Sequence, residues 1–553
     1  MTGSRGVRRN CLAETGIRDW SKKERALTQW WRDATIYQIY PRSFQDTSGD
    51  GVGDLEGIRK RLNHVRELGA DAVWLSPIFT SPMNDFGYDV SDYCTIDPLF
   101  GDMAQFDALL AEAHGRGLKL LLDFVPNHSS DQHAWFLESR SSRDNPKRDW
   151  YIWKDPAPDG GPPNNWISNF GGSAWEWHEA TGQYYYHAFL ASQPDLNWRS
   201  PDVRHAMYEV LRFWLAKGVD GFRIDVVWHL AKDTQFRDNP PNPGWDPSQP
   251  EIQRHLQKYS ADQPFVHEIV KELRDVVEEY SERLLIGEIY LPIERLVEYY
   301  GRNNEGLHLP FNFQLITSPW RGDAIRDLIN EYEAAIPKDG WPNWVMSNHD
   351  QPRVAKRIGS AQARVAAMML LTLRGTPTLY YGDEIGIGDV YIPSARVQDP
   401  WAKNEPETSF NRDKARTPMQ WSASRYAGFS ETEPWLPVTD DYETRNVACQ
   451  QAEDGSMLAL HRALLSLRAR TEELRRGEYH SLEARGPVVA YRRGATVAVV
   501  LNLSSEKVEL NLPDPFRGGE VLLRASTGEG GGPVPTAIEG DEGLIISAGG
   551  AGE

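Results

Sequence analysis

LLLDFVPNH (120–128), GFRID (221–225), LLIGE (284–288) and VMSNHD (345–350) share one pattern, an apolar run of strand length closed by polar residues. Similar runs stand at Thr35–Tyr40, Ala72–Leu75 and Thr378–Tyr381. Between most of them lie stretches such as Val203–Lys217 and Ala361–Leu373, where apolar residues return at helical spacing. Strand alternating with helix predicts a parallel sheet. The interval from Glu288 to Asp350 is 62 residues, two βα units of about 31 each. Asp123 to Asp225 is 102 residues and Asp225 to Glu288 is 63, so each interval carries a surplus over one unit. Those surpluses hold DNPKRDWYIWKDPAPDGGPPNNW and FRDNPPNPGWDPSQP, whose Pro, Asn and Trp content suits irregular loops built over a ligand. Eight or so such units predict an α/β fold, a TIM (β/α)8 barrel with elaborated loops.

After a last helix at Met457–Arg470 the pattern turns to short strands at Val488–Tyr491, Thr496–Leu503, Val508–Leu512 and Val521–Arg524. A small C-terminal antiparallel β domain is expected there. The expected organisation is an N-terminal extension (1–28), a barrel (29–127 and 198–473), an inserted domain (128–197) and a C-terminal β domain (474–553).

At 553 residues the chain exceeds one ordinary core, and 40% hydrophobic content is that of a folded globular protein. The 79 acidic against 60 basic side chains, a formal charge of −19, argue against a nucleic-acid partner. No apolar run reaches membrane-span length, and the first 28 residues lack the apolar core of a secretory signal. Cys11, Cys94 and Cys449 are too few and scattered for a disulfide framework. A soluble cytoplasmic protein is expected. Aromatic residues make up 11%, a surplus suited to neutral ring-shaped ligands, and seven Trp fall between Trp135 and Trp198.

Barrel enzymes place their chemistry at the carboxyl ends of the strands. The pattern puts Asp123, Asn127 and His128 at the third strand end, Arg223 and Asp225 at the fourth, Glu288 at the fifth, and His349 and Asp350 at the seventh. Period two sets Arg223 and Asp225 on one face, where the guanidinium is expected to keep Asp225 ionised for nucleophilic attack. Glu288, after an apolar run, is the candidate for a raised pKa and proton donation. Two carboxyls with divergent pKa values, aromatic walls and no metal-type cluster at the barrel mouth point to glycoside cleavage, with a separation of about 5 to 5.5 Å for a retaining pair.

The chain resembles the α-amylase family of glycoside hydrolases (family 13), and within it bacterial α-glucosidases of the oligo-1,6-glucosidase type. The motifs IYQIYPRSFQDTSGDGVGDLEGI, SPMNDFGYDVSDY, DFVPNH, QPDLNW, GFRID, IGEIY, SNHDQPR, GTPTLYYGDEIG and RDKARTPMQW follow in family order over residues ~30 to ~445. The resemblance implies a domain inserted after the third strand and a C-terminal β-sandwich. It implies Asp225 as nucleophile, Glu288 as general acid/base and Asp350 as the third catalytic acid, with His128, Arg223 and His349 on the sugar hydroxyls. Asp85 and Tyr88 match the pair that closes the glucose pocket in exo-acting relatives. Arg412 matches their partner, with Arg416 close enough to compete for the role, and Phe170 is expected as an apolar wall or as core packing. Val226, after the nucleophile, matches relatives that cut α-1,6 links.

The loop DTSGDGVGD (46–54) sets acids at alternate positions like half of an EF-hand. The resemblance assigns it one structural Ca²⁺ or Mg²⁺ through Asp46, Ser48, Asp50, Asp54 and the Val52 carbonyl. No organic cofactor is implied, and the substrate is expected to be a disaccharide or short oligosaccharide. Glucosyl transfer or isomerisation, as in trehalose synthases, uses the same residues, and a non-catalytic amylase-like scaffold is the alternative of another class.

Overall fold

The computed structural model describes residues 29–408 and 410–549. The expected 1–28 extension and Cys11 lie outside them. Eight strands form one parallel sheet: β1 Ile36–Ile39, β2 Ala72–Leu75, β3 Lys119–Phe124, β4 Gly221–Ile224, β5 Leu284–Gly287, β6 Leu309–Asn312, β7 Asn343–Trp344 and β8 Thr378–Tyr380. The pairing runs β1 to β7 in sequence order, β8 pairs with β1, and a parallel bridge between Val345 and Thr378 joins the remaining edges into a barrel.

Period two explains why these runs became strands with two different faces. Ile36, Trp74, Leu121, Leu284, Ile286, Leu309 and Phe311 fill one cluster, while Tyr37, Val73, Leu122, Phe222 and Leu285 join the core shared with the helices. A parallel strand buried on both faces reads as a continuous apolar run. Strand β6, LPFN, was predicted only by the spacing between Glu288 and Asp350, because four residues containing a proline carry little strand signal of their own.

One helix answers each strand: α1 Leu55–Leu68, α2 Met103–Gly115, α3 Pro201–Lys217, α4 Val266–Val277, α5 Ile293–Leu296, α6 Gly322–Ala335, α7 Ser360–Thr372 and α8 Met457–Arg470, with α5 reduced to one turn and shorter helices in the loops. The Asp54 carboxylate caps α1 by accepting from Gly57 N at 2.6 Å.

Between β3 and α3 lies a three-stranded antiparallel sheet, Trp153–Lys154, Gln183–Tyr186 and Trp175–His178, with the second strand central. Trp166 and Trp175 pack with Tyr186 in its own core. None of the seven Trp from 135 to 198 lines the large cavity described below, whose rings are Tyr88, Phe170, Phe189, Trp228, Tyr290 and Trp401. A small inserted domain needs large rings to close its own core. Lys232, from the loop after β4, fastens the insertion by donating to Asn127 Oδ1 at 2.8 Å and to Asp195, one residue at each end of it.

Beyond α8, five antiparallel strands follow in the order 479–481, 488–493, 497–502, 543–547 and 520–524. Val489, Tyr491, Val499 and Leu501 pack toward the barrel helices, and Val488, Ala490, Ala498 and Val500 pack with Phe516 and Ile538 on the opposite face. The expected strand at Val508–Leu512 shortens to Val508–Glu509.

Candidate active site

A cavity of about 500 Å³ opens at the carboxyl ends of the strands, and Asp85, Tyr88, His128, Asp225, Glu288, His349, Asp350 and Arg412 all line it. Its floor is built by register. In the sheet Asp123 stands beside Arg223 and Arg223 beside Ile286, so the inward series of β3, β4 and β5 ends in Asp123, Arg223 with Asp225, and Glu288. Arg223 Nη1 contacts Asp123 Oδ1 at 2.7 Å and Asp225 Oδ1 at 2.8 Å, and its Nη2 contacts Glu288 Oε2 at 2.7 Å. One guanidinium thus serves three carboxyls.

That division corrects the expectation for Asp225. Burial lifts its carboxyl well above the usual range; Arg223 pulls the other way, and Glu288 and Asp123 push with burial. Burial also raises Glu288 against the pull of Arg223. Arg223 bridges the two side chains and both carboxyls are raised, so their titrations are linked. Asp123 is pushed up to about 7 by burial. Asp350 differs: burial alone would raise it, but His349 and the guanidinia of Arg416 and Arg412 outweigh burial and hold it well below the carboxylate range.

Val226 follows Asp225 with φ +37° and ψ +46°. A β-branched residue is strained in this left-handed region, by about 1 to 3 kcal/mol. The conformation sends its N–H to Glu288 Oε2 at 2.9 Å.

His349 accepts from Gln38 Nε2 at Nδ1 (2.9 Å), which leaves its Nε2 proton facing Tyr88 Oη at 2.6 Å and Asp350 Oδ2 at 3.2 Å. Burial pushes this imidazole down to about 3 and that of His128 to about 4, so both are neutral donors. His128 Nε2 lies 3.0 Å from the Tyr88 carbonyl. The Tyr88 ring stacks on His349 with centroids 5.4 Å apart.

Arg412 reaches Asp85 Oδ1 at 2.8 Å and Asp399 Oδ1 at 2.8 Å, whereas Arg416 holds Asp350 Oδ1 at 2.8 Å and the His349 carbonyl at 2.7 Å. The partner of Asp85 is therefore Arg412. Phe170 lines the cavity and also packs, with Arg412 4.8 Å above its ring and Trp401 at 5.4 Å.

Sequence reasoning missed several groups. Gln193, inside the QPDLNW motif, reaches Asp85 Oδ2 and His128 Nε2 at 3.3 Å each. Asp399 orients Arg412 from a loop with no periodicity. The outer wall, Asn242 and Ile252 with Gln253, His255, Leu256 and Gln257, comes from the second insertion. Its Pro and Asn content marked a loop over a ligand, but no individual residue.

In the 46–54 loop, Asp46 accepts from Gly49 N at 2.8 Å and Gly51 N at 2.9 Å, Asp50 from Val52 N at 2.8 Å, and Asp54 from Thr47 N at 2.7 Å. Its carboxylates are spent on the loop's own amides and on α1. Among the described residues no group of three or more His, Cys, Asp or Glu side chains is placed to hold a metal ion.

The family profile described as "Alpha amylase, catalytic domain" matches residues 38–477, and a "Domain of unknown function (DUF3459)" matches 474–541. A "Probable alpha-glucosidase" of Rhizobium meliloti (strain 1021) is 42% identical over 517 residues, 88% of this chain and 93% of that protein. An "Oligo-1,6-glucosidase" of Heyndrickxia coagulans is 40% identical over 88% of this chain and 94% of its own. Among solved structures, the α-glucosyl transfer enzyme XgtA superposes with a TM-score of 0.90 at 39% identity, over 94% of this chain and 100% of that one.

Proposed function

The chain belongs to the α-amylase catalytic-domain family, and from that premise we propose that it is an exo-acting, retaining α-glucosidase that releases glucose from the non-reducing end of short α-glucosides. We infer a preference for α-1,6 links with some α-1,4 activity. The observation that carries the reading is the Arg223 bridge between Asp225 and Glu288 on the floor of a cavity spanned at one side by the Asp85–Arg412 ion pair.

The chemistry follows from where the proton sits. With the proton on Glu288, Asp225 is free to attack the anomeric carbon while Glu288 protonates the departing oxygen. The glucosyl ester is then hydrolysed by water that Glu288 deprotonates. A retaining course needs the two carboxyls close together, about 5 to 5.5 Å apart, and one guanidinium, that of Arg223, reaches both. Asp350, held ionised by Arg416 and Arg412, and the neutral donor His349 are placed to grip sugar hydroxyls as positive charge develops on the ring. The Asp85–Arg412 pair supports an exo mode, since a chain extending past the first glucose meets it.

The linkage preference rests on Val226, whose side chain lines the cavity beside Asp225. Glucosyl transfer or isomerisation is the second reading, favoured by the likeness to a transfer enzyme. Product analysis at high sugar concentration separates the two. Initial rates on isomaltose, maltose, trehalose and sucrose, with Asp225→Asn as the inactive control, test the main reading. Release of β-glucose as the first product, seen by NMR, would overturn the retaining assignment.

We further propose that the 46–54 loop takes one hard cation, Ca²⁺ or Mg²⁺, through oxygens of Asp46, Ser48, Asp50, Asp54 and the Val52 carbonyl, which would exchange their amide contacts for the ion. No helix among the described residues is long and apolar enough to cross a membrane. With Cys94 and Cys449 free thiols, we place the protein in a reducing cytoplasm.

A further inference from the structure

Three loops rooted at different barrel strands meet at the outer rim of the cavity, and each contributes lining: Phe170 from the inserted domain, Ile252, Gln253 and Leu256 from the second insertion, and Trp401 after β8. Glu405 sits where they join. It is 5% exposed, yet both its oxygens are taken by neutral donors: Oε1 accepts from Glu251 N at 2.8 Å and Oε2 from Trp401 Nε1 at 2.6 Å. Glu251 extends the link, its own Oε2 accepting from Gly172 N at 2.9 Å. Asn404 Nδ2 donates to the Phe170 carbonyl at 3.2 Å. Gly171, with φ +85°, lies so close that a Cβ there would stand 2.9 Å from Glu405 Cγ. Space and conformation both require glycine at this contact.

The second insertion depends on this joint. Its course from 240 to 256 is a narrow strap whose two sides meet at a Pro241–His255 bridge and at Asn242 N to Arg254 O. Close to the Glu251 end of the strap stand the cavity residues Ile252, Gln253, His255, Leu256 and Gln257. Burying a carboxylate costs free energy unless its hydrogen bonds are made. Here the bonds made tie together segments near residues 171, 251 and 405.

We propose that Glu405 is a positioning residue that fixes the leaving-group wall of the cavity by tying the three loops together, and so selects the leaving group. The inference rests on the glucosidase reading, in which the glucosyl ring occupies the Asp85–Arg412 end and the departing sugar faces the strap. The wall suits a polyol: Asn242, Gln253 and Gln257 offer amides, His255 an imidazole, and Ile252 and Leu256 an apolar surface.

The test compares isomaltose with α-glucosyl fluoride, whose one-atom leaving group never reaches the wall. Glu405→Ala removes both acceptors and should lower kcat/KM for isomaltose about tenfold, mostly through KM, with the fluoride within about twofold. Glu405→Gln keeps one acceptor and should fall between. Glu251→Ala cuts the Gly172 link at a half-buried residue and should reproduce the selective loss if the Glu405 variants fold poorly. Equal losses on both substrates in all variants, or no loss on either, overturn the proposal. A wild-type enzyme inert toward α-glucosyl fluoride would instead overturn the glucosidase reading, and this inference with it.

Discussion

Glu288→Gln is the sharpest probe of the site, because the two oxygens of this carboxyl are not equivalent. Oε2 accepts from both Val226 N at 2.9 Å and Arg223 Nη2 at 2.7 Å, so it is anchored, and the proton to be transferred belongs on Oε1. A glutamine places its carbonyl oxygen where Oε2 stands, keeps both anchoring contacts, and puts an amide that cannot release a proton where Oε1 was. The variant should fold and bind glucose-sized inhibitors as the wild type does. Losing a positioned general acid costs about 10²- to 10⁴-fold, roughly 3 to 5 kcal/mol at the transition state. That loss is expected in kcat/KM for isomaltose, whose alkoxide leaving group needs the proton. α-Glucosyl fluoride needs far less assistance, and its kcat/KM should fall less than about tenfold. Glucose release reads the first substrate and a fluoride electrode the second. The pH profile adds a sign. Burial raises the Glu288 carboxyl, so wild-type kcat/KM for isomaltose should decline once pH climbs past that raised value, and the variant acting on the fluoride should lose this limb. An equal fall on both substrates would refute the assignment of Glu288 as acid and leave it a structural carboxylate.

Other perturbations separate the remaining roles. Val226→Thr keeps the β-branch and its strained backbone but adds a hydroxyl, and should change the isomaltose to maltose ratio of kcat/KM by about 10-fold, within the 1 to 3 kcal/mol available to such a difference; an unchanged ratio removes Val226 from the specificity argument. Asp123, pushed up from 3.8 to about 7, keeps a proton in the folded chain that the unfolded chain has lost, so between those values its contribution to stability falls as pH rises. Asp123→Asn removes that penalty, and its Tm relative to wild type should be more favourable at pH 8 than at pH 5; a pH-independent difference would contradict the burial argument. Chelation with EDTA should lower Tm and added Ca²⁺ or Mg²⁺ should restore it, whereas indifference to both rules out a bound cation in the 46–54 loop.

Much of the barrel was legible because its signal is local and periodic. Leu121 and Asp123 alternate with Leu120 and Leu122 along β3, and the same alternation carries Leu284, Ile286 and Glu288 up β5. The loops carry no such period. Gln193, Asp399 and Glu405 acquire their places from contacts across about 108, 13 and 154 residues of chain, to Asp85, Arg412 and Glu251 respectively. Tryptophans 166 and 175 show a related limit, since an aromatic cluster in sequence shows that rings gather but not which surface they cover.

Spacing and periodicity were enough for the barrel, the strand ends that bear the acids, and the side of each strand they occupy, because a strand's period of two gives direction from spacing alone. The tertiary structure decided what those acids share. Arg223 divides itself among Asp123, Asp225 and Glu288, so burial outweighs its charge and raises Asp225 as well as Glu288. Charge balance in a buried cluster depends on every neighbour at once, and those neighbours come from three different strands.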